Sequence, residues 1–510
     1  MIISCSHEEI NLSRALSYRD VVLIASCDTY RIFIDPSIVD KLSRAREKFL
    51  EYIGRGECYG VTTGLGAQLE TKISKKDLSE IYRIVLRQHA AGVGEYLPRE
   101  FVRGAMIALA KQLSLGYSAV SPEIISVLVE MINRNITPLV PRYGSLGASG
   151  DLAPMSYIAL AIYGEGSVID EKGVTKPSKE VFEQENIKIP RIDVKDPLSL
   201  INNTAMSLSI ASHVLYMADK LLASLIITSA ISLEAMASPL EPFSKSVSEA
   251  KKQTGVGLIS KIIRELLSDS SINRSTILQD RYSFRTIPQV LGNFYDVLKF
   301  SRSIINTELN SSTDNPIFDG EKCVSGGNFY GIYVTSAVES LSTPLFQALA
   351  QSERRVFSML DPKLSRGLPP FLTKGSDTGY MISQYTMVSL LNRISSLLYP
   401  SSIFTTPTSA SQEDHVSNSY NSSLKMFEAL DLGMYIASIE YLIGSKALIL
   451  RDKIDYISSS VKRFVKEIKE LIEKDLWNYE LGKLINEARN KLENLIENEL
   501  RNKPLNEILY

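Results

Sequence analysis

Tryptophan occurs once in this 510-residue chain, and histidine and cysteine four times each. Cys5, Cys27, Cys58 and Cys323 form no CxxC pair and no regular framework, which points to thiols kept in a reducing, cytoplasmic compartment. His7, His89, His213 and His415 are scattered, without zinc-ligand spacing, so no metal site is expected. Neither sign of charge is in excess. With 56 Lys and Arg against 58 Asp and Glu the formal charge is −2, which gives no electrostatic basis for a nucleic-acid or membrane partner. Long hydrophobic runs are missing too. The longest, Leu221 to Leu233, is closed by Lys220 and Glu234, falls short of the ~20 residues a bilayer span needs, and reads as a buried helix. The opening MIISCSHEEI has neither the basic start nor the apolar core of a signal peptide.

Hydrophobic residues make up 44% and charged residues 22%, the proportions of a soluble globular protein, and the length allows a large core. Residues 1–58 read as short mixed elements with one amphipathic helix from Ile38 to Ile53. After residue 75 strand-like alternation is rare and helical spacing dominates. Between 79 and 135 that spacing breaks at Gly92-Val93-Gly94 and at Gly116-Tyr117. Further helices are expected from Tyr157 to Gly166, from Thr204 to Ala237, and in long stretches from Ile332 to Ile449. The tail from Val461 to Ile496 reads as an amphipathic helix. Residues 167–195, charged and proline-bearing, read as a surface excursion. They separate an N-terminal domain, 1–195, from a long-helix bundle, 196–510, and the fold class is mainly α.

The stretch GSLGASGDLAPMSY, Gly144 to Tyr157, organises the rest. Its glycines permit tight turns, Asp151 can cap the following segment, and Pro154 fits a first helical turn. One reading is a loop leading into a helix. The other is chemical: in Ala148-Ser149-Gly150 small residues flank a serine, so the Gly150 nitrogen can attack the Ala148 carbonyl. Loss of water, including the Ser149 hydroxyl, would then leave a methylidene on a five-membered imidazolone, an electrophile that no ordinary side chain offers.

With GS-x-GASGDLAP around the triplet, the stretch resembles the signature of the aromatic amino acid ammonia-lyases, in which Ala-Ser-Gly becomes the 4-methylidene-imidazole-5-one (MIO) group. The resemblance runs by motif over residues 55 to 420 and implies the fumarase/aspartase-like helical superfold, an MIO formed from Ala148, Ser149 and Gly150 with no external cofactor, and a homotetramer with shared active sites. YGVTTGLG, Tyr59 to Gly66, is similar to the family's Y-G-V-N-T-G-F-G, whose tyrosine acts in proton transfer; Thr62 and Leu65 depart from it. The Thr variant also resembles some MIO aminomutases. His89 in LRQHAAGVGE falls on the family's S-H-A-A-G-V-G-E segment, where by itself it would read as a core histidine. Asn202 in LSLINNT matches the asparagine that bonds the MIO carbonyl or substrate, with Asn203 in place of glycine; its plain alternative is a helix cap. Gln279, Tyr282 and Arg285 match Q-D-x-Y-S-x-R, with Arg281 replacing proline. At three-residue spacing they share a helical face. Phe329 in SGGNFYG is the family's aromatic beside the ring, and Glu413 matches Q-E-D-H-V-S.

Breaking a Cα–N bond requires a better leaving group than an amine and removal of a weakly acidic Cβ proton. The resemblance implies that Ser149 supplies the electrophile, Tyr59 takes the proton, Arg285 clamps the carboxylate, and Gln279 and Asn202 add hydrogen bonds. Tyr282 supports the ring region or relays protons. His89 disfavours an unsubstituted ring, and Glu413 favours a cationic imidazole over a phenol. Histidine is the expected substrate, with urocanate and ammonia as products. Tyrosine or phenylalanine deamination and 2,3-aminomutation stay open, as does a helical binding protein that has lost catalysis. The GSS-x-MP-x-K-x-N loop of fumarase-like lyases is not in the chain.

Overall fold

The computed structural model describes residues 8–64, 78–274, 277–474, 476 and 478–509; Cys5, His7, Leu65 and Gly66 lie outside them. Helix dominates, as the periodicity requires. In the N-terminal part, α1 (Tyr18–Ser26) opens on a capping box between Ser17 and Asp20, and α2 (Pro36–Tyr52) on Asp35 with proline at its first position. Then come α3 (Leu78–His89), α4 (Arg99–Ser114) and α5 (Pro122–Asn133), broken where the glycines predict. Strands are short. β1 (Glu9–Asn11) pairs in parallel with β2 (Arg31–Phe33), and β3 (Val93–Tyr96) pairs antiparallel with β5 (Pro141–Tyr143). β4 (Thr137–Pro138) joins β6 (Ser167–Ile169) and β7 (Thr175–Pro177) in a small antiparallel sheet.

The central stretch leads into α6 (Leu152–Ile162), followed by α7 (Ser178–Gln184) and α8 (Asp196–Ile201). The expected surface excursion at 167–195 is therefore partly structured, as a hairpin and a helix. α9 (Ala205–Ala235) is buried at every residue, so it is apolar on all sides instead of along one stripe. It is long enough to cross a bilayer, yet its surroundings are the protein's own core. α10 (Lys245–Lys251), α11 (Thr254–Leu266), the single turn α12 (Tyr282–Arg285) and α13 (Ile287–Leu309) follow, then the β8 (Ile317–Phe318) and β9 (Cys323–Val324) hairpin. α14 (Ile332–Glu339), α15 (Ser342–Leu360), α16 (Met381–Leu397) and α17 (Ser419–Leu450) complete the bundle around α9. The tail is two helices, α18 (Ser459–Ile472) and α19 (Leu481–Glu499), where one was expected. The Asn478–Tyr479 stretch interrupts the apolar stripe, and Tyr479 instead bonds Glu487 across the turn.

One apolar core runs from Ile10 to Ile508 and takes in both parts of the chain. Inside it Arg355 and Glu440 form a buried pair at 2.5 and 2.8 Å, with Thr228, Ser232 and Ser352 donating to the same carboxylate. The two buried charges match each other and are further hydrogen-bonded, as burial demands. The cysteines correct one expectation. Cys58 and Cys323 are disulfide-bonded with Cα atoms 5.5 Å apart, and no cysteine is free among the described residues. A separation of 265 residues hides such a pair from any spacing argument.

Candidate active site

The Ala148-Ser149-Gly150 backbone is folded back on itself, so that Ala148 and Gly150 pair across Ser149. Gly150 has φ +69°, and a Cβ there would lie 2.7 Å from the Asn203 nitrogen, so only glycine fits. Asn202 Nδ2 donates to the Ser149 carbonyl oxygen at 2.7 Å. Asn202 itself ends α8, while Thr204 occupies the position before α9, so the capping alternative for Asn202 falls away. The departure at Asn203 has a local cause. Its side chain donates to Ser199 and Leu200 carbonyls at 3.1 and 3.0 Å and accepts from the Ala205 amide at 3.0 Å, joining the end of α8 to the start of α9.

Asp151 does not cap α6 as the sequence predicts. Its fully buried carboxylate turns inward and accepts from Ser145 Oγ (2.9 Å), Ser207 N (2.7 Å) and Ser207 Oγ (2.8 Å). Burial pushes its pKa up to about 6, against the lowering effect of those donors. From the far side the loop is held by the segment before α17. Asn418 N donates to the Leu146 carbonyl at 2.8 Å, Ser417 Oγ to the Gly147 carbonyl at 2.9 Å, and Ser419 Oγ meets Ser207 Oγ at 3.0 Å. The N-termini of α6, α9 and α17 therefore gather around the triplet, which brings the positive ends of their dipoles close to it.

His89 closes α3, its Nδ1 2.8 Å from the Val85 carbonyl. A carbonyl only accepts, so Nδ1 carries a proton, and in the matching imidazole tautomer Nε2 is the acceptor. Tyr157 of α6 donates to the Ala90 and Gly92 carbonyls at 2.9 and 3.1 Å, and β3 pairs with β5, which fixes His89 beside the loop. Glu413 is half-buried in the segment that bonds the loop, and its Oε2 accepts from Thr408 Oγ1 at 2.8 Å. It does not start a helix; α17 begins six residues later, at Ser419. Half-buried Phe329 precedes Gly331, which packs on Ser419, and Tyr330 bonds His415.

Tyr59 lies in a turn closed by Thr62, whose Oγ1 accepts from Cys58 N at 2.8 Å and whose amide donates to the Cys58 carbonyl at 2.9 Å. The Thr62 departure is thus spent on the turn. Tyr82, fully buried on α3, bonds the Gly60 carbonyl.

Gln279, Tyr282 and Arg285 also meet, but elsewhere. Arg285 donates to Gln279 Oε1 at 2.5 Å and stacks over the Tyr282 ring at 5.5 Å. Only 282–285 is helical, so Gln279 joins them from the preceding loop. Arg281 donates its amide to Asp280 at 2.8 Å, a bond a proline could not make. The turn is set by Arg355, which donates to the Ser283 carbonyl at 3.1 Å while paired with Glu440. Two helices measure the separation. Thr313 and Asp314, just past the end of α13, bond Thr204, Lys195 and Ser199 beside Asn202, whereas Arg285 precedes its start. The 23 residues of α13 span about 34 Å. Likewise Arg366 ties Asp280 (2.7 Å) to the Met236 carbonyl (2.5 Å) at the end of α9, whose 31 residues span about 46 Å from the Asn202 end. Within one chain the carboxylate-binding candidates and the triplet occupy opposite poles.

Sequence reasoning missed Tyr82, Ser207 and Ser419, which carry no motif of their own, passed over Ser417 at the end of Q-E-D-H-V-S, and misread Asp151. Only the unusual density of small hydroxyl residues around NNTAMS and VSNS hinted at a bonded network.

A folded-back Ala-Ser-Gly triplet under an amide donor stands at the head of a long-helix bundle. The aromatic amino acid lyase family matches residues 16–470. A probable histidine ammonia-lyase of Thermoplasma acidophilum is 40% identical over 467 residues, 90% of this chain and 93% of the relative. The structure of a histidine ammonia-lyase from Trypanosoma cruzi superposes with a TM-score of 0.88 at 26% identity, covering 98% of this chain and 96% of the other. A tyrosine aminomutase from Streptomyces globisporus gives 0.90 at 27% identity, with 97% and 98% covered. The chain belongs to the aromatic amino acid lyase family.

Proposed function

We propose that this enzyme deaminates L-histidine to trans-urocanate and ammonia, with an MIO formed from Ala148, Ser149 and Gly150. The observation that carries the reading is the folded-back triplet with Asn202 donating to the Ser149 carbonyl, the oxygen that ring closure would leave in place. The ring supplies an electrophilic carbon that ordinary side chains lack. Asn202 withdraws charge from its conjugated carbonyl, and the three helix N-termini favour negative charge developing there. Tyr59 takes the Cβ proton. Arg285, already ordered by Gln279 and Tyr282, grips the carboxylate. Histidine ammonia-lyase relatives at 34–40% identity support the substrate. So does chemistry: His89 Nε2 and the Glu413 carboxylate are both acceptors, and an imidazolium ring brings two N–H donors where a phenol brings one. Turnover should be followed with histidine, tyrosine and phenylalanine, measuring the arylacrylate and the β-amino acid. Faster release of coumarate than of urocanate overturns the assignment. Glu413→Gln should cost histidine turnover far more than any tyrosine turnover.

The two poles lie more than about 30 Å apart by helix length, so we further propose a homotetramer in which one copy's Arg285 completes another's triplet. Ser149→Ala and Arg285→Ala should each be inactive alone. Unfolded, mixed and refolded together, they should regain part of the activity. No recovery in tetramers shown by mass to be mixed refutes shared sites.

A further inference from the structure

The Cys58–Cys323 disulfide joins two parts of the candidate site. Cys58 directly precedes Tyr59, and Cys323 on β9 leads through Ser325-Gly-Gly-Asn to Phe329. Other ties on the Tyr59 turn include the Val61 and Thr62 bonds to Cys58, which are internal to it, a 3.2 Å bond from the Gly60 amide to Thr63, and the Tyr82 hydroxyl on the Gly60 carbonyl. The Tyr82 bond and the disulfide link the turn to other elements, and just before it the Tyr52 hydroxyl at the end of α2 donates to the Glu57 carbonyl at 3.0 Å. Around the disulfide sits a small apolar cluster, separate from the main core: Phe49, Ile53, Cys58, Val61, Ala119 and Phe318. Phe318, paired with Cys323 across the hairpin, packs edge-on to Phe49 at 5.7 Å and takes a 2.7 Å bond from its own amide to the Tyr117 carbonyl. The hairpin end of the link is therefore rigidly based, and the bond transmits that rigidity to the residue beside the proposed base.

We propose that Cys58 and Cys323 are positioning residues: their disulfide holds Tyr59 in register for proton transfer, so that its reduction lowers turnover without dismantling the fold. The inference rests on Tyr59 as the base. Reduction by a dithiol delivers two electrons and two protons, giving two thiols and the reductant's cyclic disulfide; glutathione disulfide reverses it and leaves two glutathiones. The apolar cluster remains after reduction, so the segment stays docked but loses its covalent register. Misplacing a reacting group by about 1 Å costs up to about a hundredfold in rate.

The test uses the full-length enzyme, well below its thermal transition and with folding followed by circular dichroism. Alkylation and peptide mapping report the state of Cys58 and Cys323. Reduction, Cys58→Ser and Cys323→Ser should each lower kcat about ten- to a hundredfold with KM changed less than threefold. Glutathione disulfide should restore the wild type and not the variants. In Tyr59→Phe, reduction should bring no further loss. Unchanged kcat per folded molecule after mapped reduction, in an enzyme that Tyr59→Phe does impair, overturns the proposal alone. Normal turnover by Tyr59→Phe overturns the reading of Tyr59 and the proposal with it.

Discussion

Asn202→Ala isolates the contact at the centre of the candidate site. The substitution removes a buried amide whose Nδ2 lies 2.7 Å from the Ser149 carbonyl oxygen and leaves the α8–α9 junction to Asn203. Two costs separate cleanly. For stability, one neutral hydrogen bond contributes about 0.5–1.5 kcal/mol net, and the lost side chain is small, so the fold should survive. For rate, a donor aimed at an oxygen that gains negative charge contributes about 2.7–4 kcal/mol, or 10²- to 10³-fold in kcat. The difference arises because the donor is fixed in place, held by helix packing, and costs no reorganisation when charge appears. The assay is urocanate formation at saturating histidine, with peptide mass spectrometry of the triplet on the same sample. Loss of two waters at Ala148-Ser149-Gly150 identifies closed rings and lets kcat be expressed per ring. A hundredfold loss per closed ring places Asn202 in turnover; a loss matched by missing rings would place it in ring formation. A kcat within threefold of wild type, with rings closed, refutes the reasoning.

Arg285→Lys should raise KM about ten- to a hundredfold, the loss of one charge-assisted bond at about 1.5–3 kcal/mol, with a smaller effect on kcat; steady-state kinetics on histidine decide it. Asp151→Asn tests the buried carboxyl through pH. The folded pKa of about 6 lies above the reference 3.8, so the contribution is intact below pH 3.8 and falls by about 3 kcal/mol as pH rises to 6, where it levels off. The variant lacks this slope and should gain on wild type in thermal midpoint between pH 4 and 6, a trend a pH-independent difference would refute.

The architecture was legible because its signals are local. Helical spacing located α4, α9 and α17, and the glycines marked the breaks around β3. Site chemistry was legible as far as motifs reach, which is why Asn202 and the triplet were named together and are bonded. What spacing could not carry was anything closed through space. The bond between Cys58 and Cys323 and the Tyr82 hold on Gly60 have no neighbourly trace in the chain. Asp151 was misread for a related reason. An aspartate ahead of a helix satisfies the capping rule, but three donors from Ser145 and Ser207 outbid one free amide. The tail was read as one helix because apolar periodicity survives a turn when both flanking helices pack on the same core.

The distance between the poles follows from the core itself. Burying α9 on all sides needs long helices wrapped around it, and α13 and α17 run most of its length. Long helices place chain reversals at two ends only, and irregular backbone, which can present free amides and adjustable side chains, occurs mostly at those ends. The folded-back triplet and the Gln279–Tyr282–Arg285 group both sit on such backbone or directly beside it. They were assigned to different ends: the triplet where three helix N-termini meet, Arg285 where α13 begins. Helix dipoles give the assignment a physical basis. The N-terminal pole of α9 and α17 favours the developing negative charge, whereas a substrate carboxylate bound there would compete for the same amides. In the proposed tetramer an antiparallel neighbour would bring the two together, because reversing a rod about 46 Å long would set its Arg285 end against the first copy's triplet. In that arrangement the long-helix core fixes the spacing of the reacting groups, and the proposed tetramer is part of the active-site geometry.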